Sequence, residues 1–240
     1  MSKIFITGSS DGLGKLAAEK LITQGHEVFL HARNEARATA TLEKIRGSKG
    51  ICIADLAEMD QVKSLANQVN ELGKMDTIIH NAGVYHAEAP SLFQINVLAP
   101  YVLTALIEMP EHLIYLSSGM HKGGKPVFKP ESLNQLTYSD SKLMLTTLMR
   151  IVADKFPNSY VNAVDPGWVP TKMGGANAPE DLDAGAETQV WLAGIDSPST
   201  KVSGEYFKHK RIRQSHEVVK DSIYQKNLIH LLQDMSGIVL

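Results

Sequence analysis

Tyr138 and Lys142, four positions apart, carry the sharpest chemical signal in the sequence. They fall in a run that reads as a helix over about 138–156, where residues four apart share a face. An ammonium beside a phenol favours its ionised form, so the pair reads as a proton donor and acceptor tuned toward neutral pH. Reversible carbonyl reduction needs such a group, to protonate the oxygen as hydride reaches the carbon. Spacing alone is a weak guide, because Tyr206 and Lys210 repeat it. The first copy differs in its company. Ser117 and Ser118 close an apolar, strand-like run 20 residues upstream, and a glycine-rich turn opens the chain. Tyr206 reads as core and its neighbouring lysines as solvated.

Alternating elements must hold these groups. Short apolar runs at 3–7, 27–31, 50–53, 77–80, 112–117, 160–164 and 205–208 read as strands. Stretches of helical period fill the gaps, near 13–24, 35–46, 58–72, 92–108, 138–156, 182–194 and 216–235. That alternation predicts a doubly wound α/β fold, a mostly seven-stranded parallel sheet with helices on both faces. With no repeat, linker or low-complexity tract, 240 residues read as one domain over 1–240. The irregular segments 84–90, 119–137 and 167–181 all follow strand C-termini, the sheet edge where such folds bind ligands.

The first of these strand ends runs Thr7-Gly8-Ser9-Ser10-Asp11-Gly12-Leu13-Gly14. Glycines between a strand and a helix let the chain turn tightly and let a pyrophosphate approach the backbone at the helix N-terminus. The spacing is G-x-x-x-G-x-G rather than G-x-G-x-x-G, so the strand–turn–helix placement carries the reading.

Composition narrows the alternatives. A net charge of −2 and only short basic clusters make a nucleic-acid partner a poor fit. The single cysteine, Cys52, excludes an intramolecular disulfide and sits in an apolar run as a small hydrophobe. The nine histidines are scattered without ligand spacing, so no metal site is expected. The longest nearly apolar run, 97–107, is too short to span a bilayer. Met1-Ser2-Lys3 leads straight into the first strand, leaving no room for a signal peptide, and a cytoplasmic location is expected.

Several further motifs recur in a telling order: Ala32-Arg33-Asn34 after the second strand, Asp55-Leu56, Asn81-Ala82-Gly83, Asn96, and Pro166-Gly167-Trp168-Val169-Pro170-Thr171. With the glycine turn, Ser118, Tyr138 and Lys142, they resemble the short-chain dehydrogenase/reductase family over nearly the whole chain. The likeness is greatest to its compact retinol-dehydrogenase-like and carbonyl-reductase-like members. The resemblance implies an oxidoreductase with Tyr138 as general acid/base. Lys142 would hold the nicotinamide ribose and lower the phenol's pKa, and Ser118 would position the substrate oxygen. Asn96 would hold a water linking Lys142 to solvent. On the residues alone, Ser117 could replace Ser118, and Asn96 could cap or kink a helix. The cofactor contacts implied are Gly8 through Gly14, Arg33, Asn34, Asp55 and Leu56, Asn81 to Gly83, Tyr138, Lys142, Pro166, Gly167, Val169 and Thr171.

An NAD site of this type places a carboxylate where Ala32 stands. Arg33 next to it suits a 2′-phosphate, so NADP(H) is expected over NAD(H), with Asp11 the one acidic feature that runs against it. Tyr85, Met120, Phe128, Trp168 and Met173 should line an apolar pocket for a small or hydrophobic carbonyl or alcohol. Gly123-Gly124 and Gly174-Gly175 read as mobile lid segments. The helix after Tyr138 is apolar nearly all round, which fits pairing across a two-fold axis in a homodimer or homotetramer; its own chain covering it is the other reading. Two other functions compete: a non-catalytic dinucleotide-binding regulator, and a nucleotide-sugar epimerase or dehydratase. A pure sensor needs no proton donor, and the epimerase or dehydratase needs a larger C-terminal domain.

Overall fold

The computed structural model describes residues 1–194 and 198–240. Eight strands form one sheet: β1 (Lys3–Ile6), β2 (Glu27–Ala32), β3 (Gly50–Ile53), β4 (Thr77–His80), β5 (His112–Leu116), β6 (Tyr160–Asp165), β7 (Tyr206–Lys208) and β8 (Arg211–Arg213). Their order is β3-β2-β1-β4-β5-β6-β7-β8, the first seven parallel and β8 antiparallel to β7. Strand order reverses between β1 and β4, so the crevice above their C-terminal ends is the place where such a sheet opens to ligands.

The helices are α1 (Gly12–Thr23), α2 (Glu35–Lys44), α3 (Met59–Glu71), α4 (Ala89–Phe93), α5 (Ala99–Leu106), α6 (Tyr138–Lys155), α7 (Leu182–Leu192) and α8 (Ser222–Ser236). Alternation along the strands splits the core in two. Ile4, Ile6, Leu30, Ile114 and Val164 face α1 and α7. Phe5, Ile78, Leu113 and Val161 face α3, α5 and α6 on the other side.

Three departures from the sequence reading have local causes. β8 follows a tight hairpin whose turn residues, His209 and Lys210, take φ of 51° and 58°. Glycine or asparagine usually marks such a turn, and neither is present. The helix expected over 92–108 starts at Ala89 and is interrupted by a π-helical turn, Gln94–Leu98, that carries Asn96. The apolar stretch Ala89–Leu106 is thus 18 residues long, and 61% of it is buried inside the protein, as a core helix requires. Finally, α8 and the short turn Glu217–Lys220 pack on α6, so much of its apolar surface is covered by the same chain.

A capping box sets the start of α6. The Thr137 hydroxyl accepts from Asp140 N, and the Asp140 carboxylate accepts from Thr137 N. Asp140 also accepts from Lys125 N at 2.6 Å, tying the 119–137 segment to the helix. Gly124 fits only because it lacks a side chain: a Cβ there would lie 2.5 Å from Ser139 O. The segment expected to be a mobile lid is thus packed down at this point.

Burial holds two core histidines neutral, lowering His31 to about 4 and His80 to about 3. Unfolded imidazole titrates near 6.5. Between pH 6.5 and about 4 the unfolded chain therefore binds more protons than the folded one, and stability drops as pH drops. The expected slope is about 1.4 kcal/mol per pH unit for each histidine. Urea midpoints at pH 7 and pH 5 check it, and equal midpoints would contradict it.

Candidate active site

The glycine turn is fixed from three sides. Gly8 and Gly12 take φ of 63° and 53°, a region open to glycine. A Cβ on Gly8 would come within 2.9 Å of Ala82 Cα. The Thr7 hydroxyl accepts from both Asn81 N and Ala82 N at 3.0 Å, while Asn81 Nδ2 donates to Thr7 O and Gly8 O. His31 supplies the third side. Its Nδ1 accepts from Gly8 N at 2.9 Å, Nε2 bonds Ala54 O at 2.9 Å, and its own N–H donates to Ser9 Oγ at 2.8 Å. Since Nδ1 accepts, the proton sits on Nε2.

Around this turn lies a groove of about 480 Å³. Gly8, Ser10, Asp11, Gly12 and Leu13 line it, with Arg33, Asp55, Leu56 and Asn81 to Gly83, then Tyr138, Lys142, Pro166 and Thr171. Five expected cofactor contacts do not line it. Ser9 is buried holding His31, Gly14 is packed against Asn81, and Asn34 caps α2 by accepting from Arg37 N. Gly167 and Val169 face the neighbouring cavity. Two charged groove residues were not expected, Arg37 and Lys172. Lys172 makes an ion pair with Asp11, whose carboxyl its hydrogen bond holds below the usual range. Four cations (Arg33, Arg37, Lys142, Lys172) thus share the groove wall with two carboxylates (Asp11, Asp55). With backbone N–H groups at the start of α1, that donor set fits the phosphates of a dinucleotide.

Deeper in, Lys142 is 4% exposed and donates to Leu116 O at 2.7 Å. Its ammonium lies 5.6 Å from the centre of the Tyr138 ring, on the shared helix face the spacing predicts. Asn96 Oδ1 accepts from Val84 N, and Nδ2 donates to Val84 O and Ser141 Oγ. Its residue therefore does sit in a helix distortion and pins the loop after β4. Ser117 is buried, its hydroxyl bonded to Thr146 Oγ1 at 2.6 Å. The Ser118 hydroxyl instead meets Tyr138 and caps the next turn by accepting from Met120 N.

Burial pushes the Tyr138 phenol up to about 12, against the opposing Ser118 hydrogen bond, and pulls Lys142 down to about 8. The expected lowering of the phenol by Lys142 is therefore not what this site shows. Both groups are dehydrated together, and desolvation disfavours the charged form of each.

A second cavity, of about 590 Å³, adjoins the groove. Tyr85, Met120, Trp168 and Met173 line it as expected from sequence, with Ser118 and Tyr138 at its inner end. The Tyr85 ring stands edge-on to Tyr138, centroids 4.7 Å apart. Phe128 lies elsewhere, against Tyr224. Lys208 also lines the cavity. It is not simply solvated, because Glu180 holds it at 2.9 Å. Among the described residues no cluster of metal-binding side chains occurs. Tyr138 and five neighbours line groove and cavity alike.

The family model for short chain dehydrogenases matches residues 2–181. The chain belongs to that family. Short-chain dehydrogenase chry4 of Gibberella zeae is 35% identical over 257 residues, covering 100% of this chain and 99% of that protein. Among solved structures, an uncharacterized protein from Mycobacterium Paratuberculosis shares the fold with a TM-score of 0.84 at 21% identity, covering 100% of this chain and 94% of that one. A short chain dehydrogenase from Burkholderia cenocepacia J2315, solved in complex with NADP, gives 0.72 at 22%, covering 86% and 95%.

In this short-chain dehydrogenase the residue most easily missed from sequence is His31. A histidine in an apolar strand signals burial, and nothing nearby in sequence indicates Gly8 and Ala54 as its partners. The two bonds can be separated. His31→Asn keeps an acceptor near the Nδ1 position for Gly8 N, whereas His31→Gln keeps a donor near Nε2 for Ala54 O. Stranding the Gly8 N–H should weaken NADPH binding about tenfold in the Gln variant and much less in the Asn variant. Fluorescence titration with NADPH reads this out; equal losses in both variants would reduce His31 to a packing residue.

Proposed function

We propose that this oxidoreductase is NADP(H)-dependent and moves hydride between the nicotinamide and a small or hydrophobic carbonyl/alcohol substrate, with Tyr138 exchanging the proton. The observation that carries the reading is the position of Tyr138 on the wall common to the groove and the adjoining cavity. Bound in the groove, the dinucleotide would supply or accept the hydride. The phenol's high pKa keeps its proton in place at neutral pH, which suits donation to an oxygen gaining negative charge. Ser118, whose hydroxyl lies beside that phenol, can donate to the same oxygen and hold it in line. Lys142, anchored through one N–H to Leu116 O, keeps two protons for the ribose side of the groove. Asn96 holds the loop carrying Gly83 and Val84 against them.

Support for NADP(H) comes from Arg33 and Arg37 at the α2 end of the groove, and from Lys172 offsetting Asp11. The NADP bound in the Burkholderia relative is consistent with this. Apolar Met120, Trp168 and Met173 at the cavity mouth, 45%, 57% and 40% exposed, suit a hydrophobic substrate.

Two variants test the reading. Tyr138→Phe should lower kcat by about 100-fold or more in an NADPH-coupled assay with ketones, while NADPH still binds. Turnover equal to wild type would overturn the role of the phenol. Arg33→Ala should weaken NADPH at least about tenfold more than NADH, and an unchanged preference would remove the cofactor argument.

A further inference from the structure

The reaction cavity contains a buried carboxylate that neither the cofactor nor the proton transfer uses. Asp165 ends β6 and is 7% exposed. A charge so buried is costly unless it is paired. Among the described residues it makes no ion pair. Its cross-strand neighbour is Lys208, but that ammonium is drawn to Glu180, which also takes Trp168 N and His209. Asp165 Oδ1 accepts from Gly167 N at 2.9 Å. Oδ2 lies against bare Gly119, where a Cβ would stand 3.0 Å away. The Tyr206 hydroxyl faces the carboxylate, yet closes no hydrogen bond of normal geometry. One oxygen of the carboxylate therefore keeps lone pairs that the protein leaves without a well-formed partner.

The place of this oxygen gives it meaning. Asp165 lines the same cavity as Ser118 and Tyr138, and its charge is felt at the Tyr138 phenol. A carbonyl compound seated on Ser118 and Tyr138 would bring its adjacent atoms toward an acceptor with spare capacity. An acceptor buried against a substrate group rejects analogues that cannot donate, because the lone pair is then stranded dry.

We propose that the substrate bears an O–H or N–H donor next to its carbonyl, and that Asp165 accepts from it. The inference rests on the reductase reading above and narrows its substrate class to hydroxy- and amino-carbonyl compounds. Asp165 is then a specificity-determining residue, selecting what is reduced without exchanging the proton itself.

Matched ketones test this with the full chain and NADPH. α-Hydroxyacetophenone and α-methoxyacetophenone activate the carbonyl similarly, but only the first can donate. Wild type should favour the hydroxy ketone in kcat/KM by about tenfold or more. Asp165→Asn keeps an oxygen for Gly167 N and can present an N–H to the cavity, so the ratio should fall to about one or invert. Asp165→Ser, which can also hold the turn, should likewise lose the preference. A wild-type ratio near one, or an unchanged ratio in either folded variant, overturns the proposal. Turnover of neither ketone, or of any simple aldehyde, sinks the reductase reading as well; turnover of both at equal rates sinks only the assignment of Asp165.

Discussion

The bond from the Lys142 ammonium to Leu116 O organises the site. It ties the start of α6 to the end of β5, and so brings the phenol of Tyr138 to the hydroxyl of Ser118 two residues beyond that strand. A lysine that is 4% exposed needs this carbonyl, because a buried ammonium with unmet donors is expensive. Gly83 packs close against the same group. A Cβ there would stand 3.4 Å from Nζ and 3.2 Å from Asn96 Oδ1. Helix, strand and loop are thereby held around one charge.

That charge shares a dry environment with the phenol, and desolvation works on both in opposite directions. It raises the acid and lowers the base, leaving a neutral phenol beside an ammonium whose pKa is near 8. Asp165 and Tyr85 push the phenol the same way as burial, and only the Ser118 hydrogen bond opposes them. The balance favours a site that gives up a proton when the substrate oxygen, rather than water, asks for it.

Much of this was legible in the sequence because each element carries its own period. The seven parallel strands, the seven helical stretches and the helix-face pairing of Tyr138 with Lys142 follow from local pattern, whereas the split at Asn96 does not. What was not legible depends on partners far apart in the chain. Ser9 and His31 are 22 residues apart, yet the Ser9 hydroxyl accepts from His31 N. Gly14 is conformationally ordinary and small because Asn81 and the carbonyl of Gly8 pass over it. Asp165 looks like the end of a strand until Lys208 is seen to pair with Glu180 instead. The β8 hairpin hid for a different reason, since His209 and Lys210 adopt left-handed backbone without the residues that advertise it.

The loop over the substrate cavity shows how unequal fastenings divide labour. Its neck is closed by Glu180 N to Trp168 O and by Trp168 N to the Glu180 carboxylate, with Lys208 and His209 on the same group. Gly167 must be glycine there, at φ 81°, because the Glu180 carboxylate lies directly on it. Inside the loop, Trp168 Nε1 donates to Gly174 O at 2.8 Å, and Gly174 itself lies against Val169 O, so this glycine is packed and not a free hinge. The tip meets the cofactor side through the Lys172–Asp11 ion pair, with side chains 80% and 45% exposed, and through Thr171 beside Gly12. An ion pair that exposed is worth about 1 kcal/mol at most. The neck is therefore the fixed end and the tip the yielding one. The yielding contact touches the glycine turn itself, so the weakest fastening of the loop lies on the wall of the groove.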